Sequence, residues 1–232
     1  MKDPIGQAIK DYSKNKKPVN IIVSSDLCED DIIPVEVLFR IYEEMPELEQ
    51  MALNECKGTI LDVGAGAGCH SIYLADLGKK ILPIDISKGA VEYMKSIGLN
   101  AIEKNFFDLK DQKFDTILML MNGIGIAGKL SNLENTLSHA KSLLNSGGYI
   151  ICDSCDVKYL YEDEDGALWM DLNSEYYGNF RFEMSYKKEK SKPFDWLYVD
   201  FDNLFQVSKK VGLKASRLYE KDNHYLAKIT LI

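Results

Sequence analysis

No apolar run in this chain approaches the ~18 residues that a membrane-crossing helix needs, and Met1-Lys2-Asp3-Pro4 opens no signal-peptide core. Those two absences set the expectation of a cytoplasmic protein with no membrane partner. Bases are outnumbered: 28 Lys and Arg stand against 36 Asp and Glu, a net charge of −8. A nucleic-acid groove needs clustered Lys and Arg, and the short basic runs Lys14 to Lys17 and Lys187 to Lys190 read as solvated loops. Nucleic acid is therefore not expected as a partner. Cysteines are few and odd in number, five in 232 residues, which argues for free thiols over a disulfide framework. Cys152-Asp153-Ser154-Cys155 has CxxC spacing, but no second pair supplies zinc's other ligands, so no metal is expected. There is no internal repeat and no low-complexity tract. The 46% hydrophobic and 28% charged residues fit one sizeable globular domain with additions.

What the sequence does have is glycine in one place. Ile60-Leu61-Asp62-Val63-Gly64-Ala65-Gly66-Ala67-Gly68-Cys69-His70 is an apolar run, three alternating glycines, and then an amphipathic segment from Ser71 to Leu77. That predicts strand, tight turn and helix, with backbone amides open to a nucleotide-like cofactor. The dinucleotide fingerprint Gly-x-Gly-x-x-Gly, counted from Gly64, meets Cys69 at its last place and fails. A second strand over Lys79 to Asp85 ends in an acid 21 residues after Gly64, where a carboxylate meets a ribose diol in doubly wound folds. Ser87 caps the next helix, which ends at Gly98. Leu99 to Lys104 and Phe114 to Met121 read as further strands. Ser131 with Glu134 fits a capping box opening a helix through Leu144.

Asp62-x-Gly64-x-Gly66-x-Gly68, Asp85, Asn105-Phe106-Phe107-Asp108-Leu109, the Phe114-Asp115 entry to a strand ending at Met121-Asn122-Gly123, and Gly147-Gly148 before Tyr149 to Asp153 follow one another in order. From about Thr59 to Asp153 the chain resembles the class I S-adenosylmethionine-dependent methyltransferases. The resemblance implies a three-layer, doubly wound (Rossmann-like) α/β fold with a seven-stranded sheet of order 3-2-1-4-5-7-6. It also implies site roles. Asp62 helps hold the methionine end of S-adenosylmethionine; Gly64, Ala65, Gly66 and Gly68 admit the cofactor over the strand tip; Asp85 meets the ribose and Ile86 packs beside the adenine. Asn105 and Phe106 form the adenine-edge segment, and Met121 and Asn122 lie beside the sulfonium. The implied reaction is methyl transfer to a small-molecule acceptor. Gly123 stands where nucleic-acid and protein amino-methyltransferases often carry proline, and no Pro-Cys pair is present. Two other readings stay open: an NAD(P)-dependent oxidoreductase, and a non-catalytic S-adenosylmethionine-binding module. No catalytic residue is singled out. Asp153, His70, His224 and Tyr12 are candidates only by nearness to the strand tips, and structural roles account for each. The acceptor and the oligomeric state stay open.

Residues 1–57 read as an N-terminal lid: a helix over Asp3 to Lys14, an extended Val19 to Val23, and a helix beginning at Pro34. Its stretch from Ser24 to Gln50 sets nine acids against Arg40. Arg40 has two readings, a fork on the cofactor carboxylate or a surface salt bridge to Glu36 and Glu44, and the spacing favours the second. Residues 58–232 form the main domain, with an insertion at about 154–201. There Asp153 to Glu175 brings eight acids against Lys158, and Tyr177 to Tyr186 pairs with Phe194 to Phe201 as a hairpin. Asp202 caps a helix to Val211, and Leu213 to Tyr219 with His224 to Ile232 make the last two strands, the final one antiparallel. Both acidic blocks are expected at the mouth of the sheet, where they either favour an amine-bearing acceptor or are solvated faces.

Overall fold

The computed structural model describes residues 2–163, 165, 167 and 175–232; Glu164 and Asp171 of the second acidic block lie outside them. The lid contains helix α1 (Pro4–Asn15), strands β1 (Asn20–Ser25) and β2 (Asp31–Pro34), and helix α2 (Glu47–Glu55). Then follow β3 (Thr59–Val63), α3 (Cys69–Asp76), β4 (Lys80–Asp85), α4 (Lys88–Ser96), β5 (Ile102–Glu103), β6 (Phe114–Met119), α5 (Leu130–Ser142) and β7 (Leu144–Cys155). The insertion supplies β8 (Asn179–Tyr186), β9 (Glu189–Lys190) and β10 (Phe194–Leu197), and α6 (Phe201–Lys210), β11 (Leu213–Lys221) and β12 (His224–Leu231) end the chain.

Seven strands form one sheet in the order β11-β12-β7-β6-β3-β4-β5, which is 3-2-1-4-5-7-6 when those strands alone are counted along the chain. β3, β4, β5, β6 and β7 run parallel, and β12 is antiparallel to both β7 and β11. Alternation along each strand covers both faces. Leu61, Val63, Ile117, Ile150 and Ala227 pack against α5 and α6, while Ile60, Leu118, Ile151 and Leu226 pack against α2 and α3. Asp62, two residues after Ile60, and Asp153, two after Ile151, fall on the α2–α3 face at the strand tips.

The N-terminal segment differs from the sequence reading in its helix and in its pairing. No α-helix begins at Pro34: Pro34 closes β2, and two 3-10 turns, Val35–Phe39 and Tyr42–Glu44, lead into α2. Nor are lid and insertion separate additions. β1 pairs with β8, and β8 with β10, in a second sheet of order β10-β8-β1-β2, with β9 beside β8. Ile21, Val35 and Tyr186 close its inner face over Ala8 of α1. Such a pairing joins residues some 160 apart, so no local pattern announces it. The Phe182–Phe194 hairpin pairing is as expected. Two caps move: α5 starts at Leu130 with Lys129 as an uncapped N-cap, two residues ahead of Ser131, and α6 is capped by Asp200, which accepts from the Asn203 amide, in place of Asp202. β5 is a two-residue fragment of the predicted Leu99 to Lys104.

Candidate active site

The turn after β3 puts Gly64, Gly66 and Gly68 all at positive φ, at 73°, 57° and 83°. Their surroundings differ. A Cβ on Gly64 would meet nothing within 4 Å, and one on Gly66 only Leu38 Cδ2 of the lid at 3.7 Å, whereas one on Gly68 would press Leu99 at 2.9 Å and Met94 at 3.0 Å. Gly64 and Gly66 therefore leave open backbone beside the crevice, and Gly68 permits close packing on α4. Ala65 is buried against Val91 and Met94.

Asp85, at the tip of β4, lies directly beside this turn. Its Oδ2 accepts from the Gly66 amide at 2.9 Å and its Oδ1 from the Ser87 amide at 2.7 Å. Each oxygen keeps a lone pair for a further donor. Burial, with Asp3 and Asp62 as nearby like charges, outweighs those two hydrogen bonds and pushes the carboxyl up to about 6. Next to it Ile86 is 69% exposed, and Phe107 is also exposed. Asn105 is exposed, with its side chain accepting from the Phe107 amide at 3.0 Å. Phe106 is turned the other way: 4% exposed, it packs edge-on against His139, whose Nε2 meets its carbonyl oxygen at 2.9 Å. Its ring belongs to the core, and Phe107 is the aromatic that faces out.

At the other end of the crevice β6 closes in two consecutive left-handed residues, Met121 (φ 58°) and Asn122 (φ 56°), a conformation L side chains adopt at a cost and which surrounding bonds must hold. The Asn122 amide donates to both Asp153 oxygens at 3.1 and 3.0 Å, its side-chain NH2 donates to the Leu197 carbonyl at 3.1 Å, and Ser154 Oγ donates to its Oδ1 at 2.7 Å. Met121 is left 39% exposed. Burial pushes the Asp153 carboxyl up to about 7, against the pull of the Asn122 amide.

Charged groups from lid and sheet converge here. Glu49 of α2, 6% exposed, receives Arg40 Nη2 on both oxygens at 2.7 and 2.8 Å and faces His70 Nε2 at 2.8 Å. Arg40 Nη2 also lies 3.9 Å from Met121 Sδ, and Arg40 Nε is buried without a partner. Asp62, 2% exposed, accepts from Ser71 Oγ at 2.6 Å beneath the turn, and burial raises its pKa. Burial also acts on Glu49, upward, but the hydrogen bond and charge of His70 with the charge of Arg40 bring it below the ordinary carboxylate value. For His70 burial works against protonation, and Cys69, Glu49 and Asp62 together raise it well above the ordinary histidine value. Arg40 thus pairs neither with Glu36 nor with Glu44: the 3-10 turns carry it inward to Glu49, nine residues on. Glu49 itself escaped the sequence reading. The signal was present, since Leu48, Ala52 and Leu53 form α2's buried stripe, flanked by Met45 and Cys56, and Glu49 sits at its helical spacing, a charge on an apolar face.

The remaining candidates have structural settings. His70 is hydrogen-bonded into the lid as the plainer reading had it. Tyr12 packs on Phe39 at 4.7 Å, and His224 is exposed at the start of β12, opposite Cys155. Cys152 and Cys155 are free thiols three residues apart on one strand, hence on opposite faces, and burial raises both, Cys155 to about 11. Among the described residues no helix is long and apolar enough to cross a membrane.

Comparison with known proteins bears on this geometry. The methyltransferase domain family matches residues 54–209. A Bacteroides fragilis S-adenosylmethionine-dependent methyltransferase, solved in complex with S-adenosyl-L-homocysteine, is 45% identical and superposes with a TM-score of 0.92 over 99% of this chain and 95% of its own. The cypemycin N-terminal methyltransferase of a Streptomyces species is 29% identical over 103 residues, which span only 42% of either chain. The CcbJ methyltransferase of Streptomyces caelestis, at 15% identity over 82% of this chain and 94% of its own, shares the fold with a TM-score of 0.59.

Proposed function

This chain belongs to the S-adenosylmethionine-dependent methyltransferases, and on that premise we propose that it methylates an amine of a small-molecule acceptor. The crevice fits the cofactor on its own features: uncovered backbone at Gly64, a carboxylate at Asp85 with lone pairs to spare, and the exposed apolar side chains of Ile86 and Met121. In this reading Asp85 accepts from the ribose hydroxyls, Gly64, Ala65 and Gly66 give the cofactor its passage, and Ile86 with Asn105 borders the adenine. Met121 and Asn122 border the sulfonium. Asp62 supports the turn from below, as does Gly68 by packing, and Phe106 contributes only its backbone position. S-adenosylmethionine supplies an activated methyl group on sulfur. The protein has to align an acceptor lone pair with that methyl and exclude water.

The observation that carries the amine reading is Asp153. It sits at the tip of β7, bonded to the Asn122 amide beside Met121, with its pKa near neutrality. The nitrogen lone pair takes the methyl carbon as the carbon–sulfur bond breaks, and the product ammonium releases its proton to the Asp153 carboxylate. A base with a pKa near the working pH suits that step. The Streptomyces relative, named for an N-terminal methylation, supports an amine acceptor. In this reading residues 1–57 serve as a lid over the cofactor, with Leu38 Cδ2 3.7 Å from the place of a Gly66 Cβ and Arg40 Nη2 3.9 Å from Met121 Sδ. To test the reading, a small-molecule extract is incubated with protein and a donor carrying a deuterated methyl group, and the products are identified by mass spectrometry. Label on amine nitrogen is expected, with kcat rising as pH passes about 7 and Asp153→Asn reducing kcat by about 10²-fold. Label confined to oxygen, sulfur or carbon overturns it.

A further inference from the structure

The carboxylate of Asp3, the N-cap of α1, reaches across to the adenosine end of the crevice. Its Oδ1 accepts from the Gly6 amide at 2.8 Å and from Ser87 Oγ at 2.8 Å; its Oδ2 accepts from the Gly89 amide at 2.9 Å and lies 2.9 Å from the same Ser87 hydroxyl. One side chain therefore satisfies the first amides of two helices, α1 and α4. The helices meet closely: a Cβ on Gly89 would stand 2.5 Å from Gly6 Cα. Ser87 is the joint. While its hydroxyl donates to Asp3 and accepts from the Ala90 amide at 3.1 Å, its own amide donates to Asp85 Oδ1. A continuous chain of hydrogen bonds thus runs from Gly66 through Asp85 and Ser87 to Asp3.

We propose that Asp3 is a positioning residue for the cofactor's ribose, holding Ser87 so that its amide fixes the Asp85 carboxylate in the orientation the diol requires. This rests on the reading that Asp85 binds the ribose. A capping role for α1 alone does not need the bonds to Ser87 and Gly89, which lie 84 and 86 residues away in sequence. Through those bonds the seating of α1 on α4 and the orientation of the Asp85 carboxylate are coupled. The groups facing Asp85 are the Gly66 amide from the turn, the Ser87 amide from α4, the charge of Asp62 from β3 and that of Asp3 from α1. Removing the Asp3 charge should make Asp85 easier to ionise.

The test is calorimetric binding of S-adenosylhomocysteine between pH 5 and 8 to the full chain and its variants. Asp85→Asn should weaken binding at pH 7.5 by tenfold or more. Asp3→Asn should weaken it about three- to tenfold and move the pH at which affinity is half lost to a lower value. Ser87→Ala, which cuts the chain from the other side, should weaken binding similarly, and Asp3→Asn added to it should cost little more; it also serves if Asp3→Asn does not fold. Lys10→Ala, which removes an exposed α1–α4 ion pair with Glu92, should leave binding unchanged. Wild-type affinity in Asp3→Asn and Ser87→Ala, with Asp85→Asn weakened, overturns the proposal. So does weakening with an unmoved pH midpoint, which would make Asp3 a helix cap and nothing more. Unweakened Asp85→Asn removes instead the ribose reading beneath it.

Discussion

The two ends of the crevice are built on different principles. The Asp85 end is backbone and one carboxylate: open glycines, the Gly66 and Ser87 amides, and Asp85. Its parts come from adjacent βα units, and it presents unfilled hydrogen-bonding capacity to the outside. The Met121 end is a knot of buried charges, Arg40, Glu49, His70 and Asp62, with Asp153 nearby, gathered from the N-terminal segment and from β3, α3 and β7. Its groups mostly satisfy one another. One end is ready for a ligand, and the other holds the lid to the sheet.

That contrast predicts opposite consequences of substitution. The largest effect is expected at Glu49. Glu49→Ala leaves Arg40 and His70 as buried groups without their counter-charge, and breaking a buried pair in this way costs about 3–5 kcal/mol; chemical denaturation should show it, and an unchanged midpoint would refute the knot's structural role. Asp85→Asn is the reverse case, a loss in ligand and not in fold. Hydrogen bonds to a charged acceptor contribute about 1.5–3 kcal/mol, so S-adenosylhomocysteine affinity should drop by about ten- to a hundredfold. Because the Asp85 carboxyl is raised to about 6, its ionised form costs the empty fold stability as pH rises above the ordinary aspartate value. The variant's Tm at pH 7.5 should therefore be no lower than wild type, and a marked fall would show that Asp85 is structural.

A third, smaller effect lies in pH. Glu49 is lowered, so its contribution is complete above the unfolded value near 4.5 and is lost as pH falls through its folded value. His70 is raised, so its contribution is complete below the unfolded value near 6.5 and is lost as pH rises through its folded value. The stability difference between wild type and Glu49→Gln should hence be greatest between about pH 4.5 and 6.5 and shrink on either side; a flat difference across a pH series of melts would separate the pair. Smallest of all is Ile86→Ser. With 69% of its surface already exposed, the change should leave Tm within about 1 °C and lower cofactor affinity a few-fold.

How much was legible follows the same division. The glycine turn and Asp85 could be read because each is a local signal, and the strand order and antiparallel last strand followed from the family resemblance that those signals carried. Asp85 falls beside Gly64 because parallel neighbours in register carry their tips to one edge, with the Gly64 amide on the Ile84 carbonyl at 2.9 Å. Phe106 and Phe107 show where local reading stops: both rings lie near His139, at 4.8 and 5.9 Å, and only tertiary packing decided that Phe106 is the one buried. Arg40 shows it again. Its sequence neighbours Glu36 and Glu44 offer helical spacing, but the lid there is two 3-10 turns and not one helix, so the partner became Glu49. Asp3 gave no signal beyond a helix cap, its partners being more than 80 residues distant.

By itself the sequence determined the strands and helices of the main sheet and the glycine turn, since periodicity, glycine placement and capping act over a few residues, while the strand order came from the family resemblance. Only the tertiary structure decided the second sheet, which unites the N-terminal segment and the insertion, and the charges assembled beside Met121. A buried ion acquires its partner from whatever surface closes over it, and that surface exists only once distant segments have packed.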